Sequence, residues 1–387
     1  MKAWPKVALG ELLRRADELA VVDPATEYHE VTVKLWGKGV VSRGKVLGSD
    51  VTSVRRVVRR DQLILSKIDA RNGAIGLVPP ELDGAIVSND FPSFELRDPR
   101  RCDAAFMGWL VRSAPFAELC KAASEGTTNR VRIKEGRFLD QHLALPPLAE
   151  QHALVARLDA LAAKTRQVEV HLDAVERDAE HLLALRFRDA IADAPLRPMA
   201  EVAPLIRREQ SIEPDGCYPE LGIRSFGKGS FHKQPLSGGE VGTKRLYRIE
   251  PGDLVFSNVF AWEGAIAIAQ PEDTGRYGSH RFITCKVDPE LTTAAFLRYY
   301  FLTTGGMLKI GEASPGGAGR NRTLGLNKLM AIEVPTPPLS TQQAFDRLQA
   351  EVVALKARHA AIREANAALL PATLERVFGA DATGPAQ

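Results

Sequence analysis

Long apolar runs are missing from this 387-residue chain. None approaches the roughly 18 residues that a membrane-spanning helix needs, so no membrane partner is expected. Met1-Lys2-Ala3-Trp4-Pro5-Lys6 lacks the apolar core of a secretory signal, and the expected compartment is the cytoplasm. Cysteine is scarce. Cys102, Cys120, Cys217 and Cys285 form no CxxC or other metal-ligand spacing, which fits buried free thiols in a reducing compartment. No excess of one charge sign exists either; the net charge of +3 does not by itself point to a partner. What is present is an ordinary globular composition, 26% charged and 45% apolar, long enough for about two to three domains.

The sequence contains itself. Shifted by 191 residues, Leu63-Ile64-Leu65-Ser66 and Asn72-Gly73-Ala74-Ile75 fall on Leu254-Val255-Phe256-Ser257 and Glu263-Gly264-Ala265-Ile266. Ser88-Asn89-Asp90-Phe91 falls on Ser279-His280-Arg281-Phe282. Pro146-Pro147-Leu148 with Gln151 falls on Pro337-Pro338-Leu339 with Gln342. Leu12-Leu13-Arg14-Arg15 resembles Leu205-Ile206-Arg207-Arg208 at an offset of 193. Ordered matches at nearly one offset indicate tandem duplication of one unit, a period too long for a solenoid.

Each unit has two parts. Residues 1–145 and 192–336 mix short β-type runs, such as Gln62–Ser66 and Asp253–Ser257, with Gly- and Pro-rich turns and amphipathic patterns near 103–122 and 292–310. After each Pro-Pro-Leu the pattern becomes a heptad seam. In the first unit it runs Leu154, Leu158, Leu161, Thr165, Val168, Leu172, Val175, Ala179, Leu182; in the second, Phe345, Leu348, Val352, Leu355, His359, Ile362, Asn366, Leu369. Helices of about 35–40 residues, about 55–60 Å long, are expected. Each needs a partner, and the other copy is the obvious one. The expected fold is α+β: globular parts 1–145 and 192–336, separated by antiparallel coiled-coil helices in 146–191 and 337–380, with a pseudo-twofold repeat and a disordered tail at 381–387. His359 and Asn366 sit on the seam, where a polar side chain either sets the register or lies in a loosely packed, partly exposed stretch. Two modules held apart by a stiff rod make a ruler, and duplex DNA offers half-sites about 34–36 Å apart.

The charge distribution tests that idea. Residues 38–71 carry 9 Lys and Arg against 3 acids, and 224–248 carry 6 against one. A third cluster, Arg320-Asn321-Arg322, lies in a Gly-rich loop whose counterpart contains Asn129, Arg130 and Arg132. Lys and Arg supply phosphate contacts, whereas Arg and Asn read base edges. The candidate DNA contacts are Arg55, Arg56, Lys67, Arg71, Asn129, Arg130, Arg132, Arg224, Lys228, Asn258, Arg320, Asn321 and Arg322.

Catalytic motifs are missing. Gly222–Lys228 fits GxxxxGK, but Gly229 stands where a phosphate loop needs Ser or Thr for magnesium. No Pro-Pro pair follows Asn or Asp as in an adenine methyltransferase, no Glu-x-Lys follows Pro214-Asp215 as in a nuclease, and His29-Glu30 lacks the second metalloprotease His. His171 and His181 are ten residues apart on one helix and form no one-turn pair. The chain therefore reads as a non-catalytic binding subunit without a cofactor or metal of its own. A coiled-coil scaffold without a DNA role, or a stand-alone methyltransferase or nuclease, are the alternatives.

Leu145-Pro146-Pro147-Leu148-Ala149-Glu150-Gln151, Ser66–Ala74 with Ser88–Phe91, and Leu221–Gly229 resemble the DNA-specificity subunit of type I restriction–modification systems. The resemblance implies two target-recognition domains that read a bipartite, asymmetric sequence in double-stranded DNA. It also implies two methylation subunits that use S-adenosylmethionine, and restriction subunits that use ATP and Mg, all of that chemistry lying outside this chain. The second junction, Val334–Gln342, departs from the family pattern in lacking the Glu before Gln, and Pro371 falls inside the second helix.

Overall fold

The computed structural model describes residues 4–126, 131–316 and 322–379. The helices that organise it are α1 (Ala104–Leu110), α2 (Ala114–Ala122), α3 (Leu148–Ile191), α4 (Ala294–Leu302), α5 (Thr304–Ala313) and α6 (Leu339–Phe378). The chain forms two compact units, one from the N-terminal part to Leu172 together with the chain from His359 onward, the other from Asp173 to Arg358. Each unit thus takes one globular part and a length of both long helices.

In the first unit, Leu63–Leu65 lies between Ile75–Leu77 and Ser93–Leu96, and Leu13–Ala16 extends that antiparallel sheet. Leu63, Ile64 and Leu65 are all buried, so the strand reads as an unbroken apolar run rather than an alternating one. A second four-stranded sheet holds the long hairpin Glu27–Val33 and Val40–Leu47. Lys6–Ala8 pairs with His142–Ala144 and closes the module. The core is built on Phe94, Phe106, Phe116 and Phe138, joined by Leu158 and Ala162 of α3 and Leu374 and Phe378 of α6.

The second unit repeats this plan. Leu254–Ser257 lies between Ile266–Ile268 and Phe282–Cys285, and Leu196–Pro198 pairs with Glu333–Pro335. Phe187 of α3 stacks on Phe296 and Phe345 at ring-centroid distances of 5.1 and 5.3 Å. The amphipathic stretches near 103–122 and 292–310 are each a helix pair, and the caps match. Asp103 and Ser113 accept from Phe106 N and Phe116 N, as Thr293 and Thr303 accept from Phe296 N and Gly306 N.

The long helices run antiparallel within each unit. In the first, Asn366 meets Thr165 and Glu169 while Leu374 and Phe378 pack in the cluster that holds Leu158 and Ala162. In the second, Phe187 meets Phe345 and Glu180 meets Lys356 at 2.5 Å. The α3 helix exceeds the expected length, with 44 residues and about 66 Å, whereas α6, with 40 residues and about 60 Å, meets it. The α6 helix continues through Pro371 to Phe378.

The expected seam is half right. Leu158, Leu172, Phe345, Val352, His359 and Asn366 are buried, but Val168, Leu182, Ile362 and Leu369 are exposed. Their places pass to neighbours one residue on: Glu169, Leu183, Arg363 and Leu370. A helix with 3.6 residues per turn drifts about 20° per heptad, so a strict 3.5-residue register cannot hold over this length without supercoiling. Burial instead steps by four residues through Ala179, Leu183 and Phe187 and through Leu370, Leu374 and Phe378. At the centre of the first unit's seam lies a polar layer. The Asn366 amide donates to Thr165 O at 3.0 Å and Glu169 Oε1 at 2.8 Å, and Arg363 lies 3.3 Å from Glu169. His359 and Asn366 are therefore buried polar seam residues rather than partly exposed ones.

Cys102, Cys120 and Cys285 are buried as expected, but Cys217 is exposed, at the start of a short strand. Among the described residues no helix is long and apolar enough to cross a membrane.

Candidate nucleic-acid interface

Two matched turns stand at the centre of the candidate surface. Leu35-Trp36-Gly37-Lys38-Gly39 connects the strands of the first unit's long hairpin, and Ser225-Phe226-Gly227-Lys228-Gly229 connects Leu221–Ile223 to Ser230–His232. They lie 190 residues apart and share their backbone. Trp36 and Phe226 both have φ of 61°, and Gly37 and Gly227 both 65°. Lys34 N donates to Gly39 O, and Arg224 N to Gly229 O, each at 2.9 Å. Each turn is pinned to a 3-10 corner: Trp36 N and Gly37 N donate to Asn72 O and Gly73 O, Phe226 N and Gly227 N to Glu263 O and Gly264 O. Gly73 and Gly264 make that approach possible, since a Cβ on either would meet the turn backbone at 3.1 and 3.4 Å. A non-glycine residue in the left-handed region costs about 1–2 kcal/mol, yet both turns place an aromatic there and leave it exposed. The sequence comparison found this turn only in the second unit. The shared Gly-Lys-Gly at an offset of 190 was the available signal.

The first unit's predicted cations are largely answered by acids of its own module. Arg55 pairs with Glu30 at 3.0 Å, Arg56 with Asp17 at 2.5 Å, Lys67 with Glu135 at 3.0 Å and Arg132 with Asp90 at 3.1 Å. Such pairs are worth about 0–1 kcal/mol at a surface, so Arg132, which is half exposed, can trade its partner for a phosphate. Arg55 is less available: its Nε is buried without a hydrogen-bond partner among the described residues. Arg71 forms no ion pair among the described residues and lines a groove of about 660 Å³ with Trp36. Asn129, Arg130, Arg320 and Asn321 lie outside the described residues, as does the 381–387 tail.

The second unit is different. Arg224 and Lys228 flank its turn, Arg224 over the Phe231 ring at 4.9 Å and Lys228 over Phe226 at 5.9 Å. Arg322 lies over the Trp262 ring at 5.5 Å. Asn258 opens the corner loop, its backbone N donating to Arg281 O and its carbonyl accepting from Leu324 N, while its side-chain oxygen is buried without a partner among the described residues. Next to it opens a cleft of about 430 Å³ lined by Phe231, Phe260 and Phe282 together with Lys233, Lys244 and Arg281. These three cations were not singled out from sequence, although Lys233 and Lys244 fall in the basic run 224–248. None of the three forms an ion pair among the described residues. A cleft of free cations and aromatic faces suits a polyanion with stacked bases. At the matched positions the first unit carries Asp90 for Arg281, Lys67 for Asn258 and Arg71 for Trp262. One scaffold thus bears two unlike surfaces.

The junction glutamines explain the Pro-Pro-Leu-x-x-Gln repeat. Gln151 is fully buried; its Oε1 accepts from Asp103 N at 2.8 Å, and its Nε2 donates to Arg101 O at 3.0 Å and Pro146 O at 2.8 Å. Gln342 accepts from Thr292 Oγ1 and Thr293 N and donates to Leu291 O and Pro337 O. Each glutamine ties the first turn of a long helix to the N-cap of its module's α1 or α4, and so fixes the module on the helix. No group of three His, Cys, Asp or Glu side chains among the described residues could hold a metal ion. Burial pushes the Cys102, Cys120 and Cys285 thiols up to about 12.

A tandem pair of α+β modules, each locked by a buried glutamine onto a long helix of an antiparallel pair, defines the class: this is the HsdS fold. The chain is similar to the HsdS subunit from Thermoanaerobacter tengcongensis, with 23% identity, a TM-score of 0.65 and 98% of each chain covered. It is similar also to a chain from a structure concerned with complex assembly and conformational transition of the type I R-M system, with 22% identity, a TM-score of 0.69 and 98% of each chain covered. No protein-family model matches the sequence, and no curated protein matches it.

Proposed function

We propose that this chain is the DNA-recognition subunit of a type I restriction–modification complex. Its globular parts, 1–145 and 192–336, act as two target-recognition domains on double-stranded DNA. The observation that carries the reading is one scaffold built twice with unlike surfaces: an open basic and aromatic cleft around Arg281 in the second unit, and self-paired cations around Asp90 and Arg132 in the first. Unlike surfaces on like scaffolds read unlike half-sites, so the target is bipartite and asymmetric. The HsdS fold supports the same reading.

The chain itself is non-catalytic in this proposal. Two methylation subunits dock on the helix pair and use S-adenosylmethionine; restriction subunits join them and use ATP and Mg, in the cytoplasm. Methylome sequencing of cells with and without this chain and its neighbouring methylase tests it. The expected result is loss of one bipartite adenine-methylation motif with unlike halves. A palindromic motif, or methyl transfer by this chain alone, would overturn it.

A further inference from the structure

We propose that Trp36 and Phe226 are sequence-independent anchors, each ring pressed against the sugar and base edge of the duplex while the flanking cations hold its phosphates. The inference rests on the DNA-recognition reading above and names a contact within it.

Three observations carry it. First, each ring stands exposed on a left-handed residue where glycine or asparagine would sit without strain. Strain of this kind marks function when the surroundings enforce it, as the hydrogen bonds to Gly73 and Gly264 do here. Second, each ring is flanked by cations without ion pairs among the described residues: Lys34 and Lys38 in one unit, Arg224 and Lys228 in the other. An apolar ring among unneutralised cations matches a polyanion whose sugars and base edges are apolar, and matches an ordinary protein surface poorly. Third, the turns keep one geometry while the positions around them diverge, Asp90 against Arg281 and Arg71 against Trp262. A contact kept identical in two modules with different surroundings meets something common to both half-sites. Sugar and phosphate are common; the bases are not.

The test uses the full chain, alone and assembled with its methylation subunits, against a duplex carrying the selected target and a random-sequence duplex. Trp36→Asn and Phe226→Asn remove the ring but keep a residue that tolerates positive φ; Trp36→Phe keeps a ring. The Asn variants are expected to weaken both duplexes by the same factor, about five- to tenfold, on the scale of a base–aromatic contact. Trp36→Phe should bind like the wild type. Lys38→Ala should flatten the slope of log affinity against log salt by about 0.9. Weakening of the target duplex alone would mean that the rings read bases. Unchanged DNA binding with lost assembly on gel filtration would mean that they dock a protein. Either outcome overturns the proposal. A wild-type complex that binds neither duplex would overturn the DNA-recognition reading itself, a failure visible before any variant is made.

Discussion

Replacing Gln151 with Leu should loosen the first unit and spare the second. The side chain is nearly the same size, so packing is kept while three hydrogen bonds are lost. Asp103 N, at the N-cap of α1, loses its acceptor, and with Gln151 fully buried no water replaces it. An orphaned buried N–H costs about 2 kcal/mol, and each of the two carbonyls about 1. The added apolar surface returns about 1 kcal/mol, leaving roughly 3 kcal/mol. That corresponds to an increase of about 100-fold in opening of the affected segment. Hydrogen exchange read by mass spectrometry, peptide by peptide, measures this locally. Peptides covering 101–122 and 146–160 should lose protection by that factor, while those covering 291–313 keep theirs. Gln342→Leu should give the reverse pattern. Gln151→Glu should be worse than Leu at neutral pH, because it places a carboxylate against the carbonyls of Arg101 and Pro146. Unchanged protection in 101–122, or equal loss in both units, would refute the assignment of these glutamines as module clamps.

Three further outcomes are expected. In native protein at pH 8, a maleimide should label Cys217 alone. Cys102, Cys120 and Cys285 stay protonated because burial raises their thiols, and they should react only after urea is added, as counted by mass. Glu169→Ala should destabilise the first unit's helix pair by about 1 kcal/mol in urea unfolding, since it removes the ion pair to Arg363 and one of the two hydrogen bonds of the Asn366 amide; joint replacement of Glu169, Arg363 and Asn366 by Leu should be neutral or stabilising. Finally, Lys244→Ala and Arg281→Ala should each lower the salt slope of DNA binding by about 0.9. Lys67→Ala should lower it by less, because Glu135 already neutralises Lys67.

The duplication, the long helices that follow the Pro-Pro-Leu motifs and the buried central strands were all readable from residues. Repeated segments and unbroken apolar runs are local patterns. The twin turn in the first unit is harder to see, because Leu35-Trp36 and Ser225-Phe226 share no residue and the only mark is Gly-Lys-Gly at an offset of 190 rather than 191. Ion pairing was hidden for another reason. Asp90 stands 42 residues from Arg132, so a run of cations looks free until the chain folds its acids back onto it. The same blindness hid the open cleft, where Arg281 looked like one more residue in a repeat match. On the long helices, the row through Leu158, Leu172, Val352 and Asn366 was legible, and its partner row only in part, at residues such as Leu154 and Leu348 that pack on the module cores. Apolar Val168 and Leu182 attracted the heptad reading, whereas helical drift and the ion pair at Glu169 decided the real contacts.

The direction of those helix-to-helix ion pairs has a consequence for how a doubled gene avoids mispairing. Fresh copies of one helix would associate indiscriminately, within a chain or between chains. Here the acids, Glu169 and Glu180, lie on α3 and the bases, Arg363 and Lys356, on α6. Two α3 helices brought together would face carboxylate against carboxylate, and two α6 helices cation against cation. Each pair adds little to stability, but the partition of sign penalises swapped assemblies. It favours α3 against α6 over either helix against its own kind.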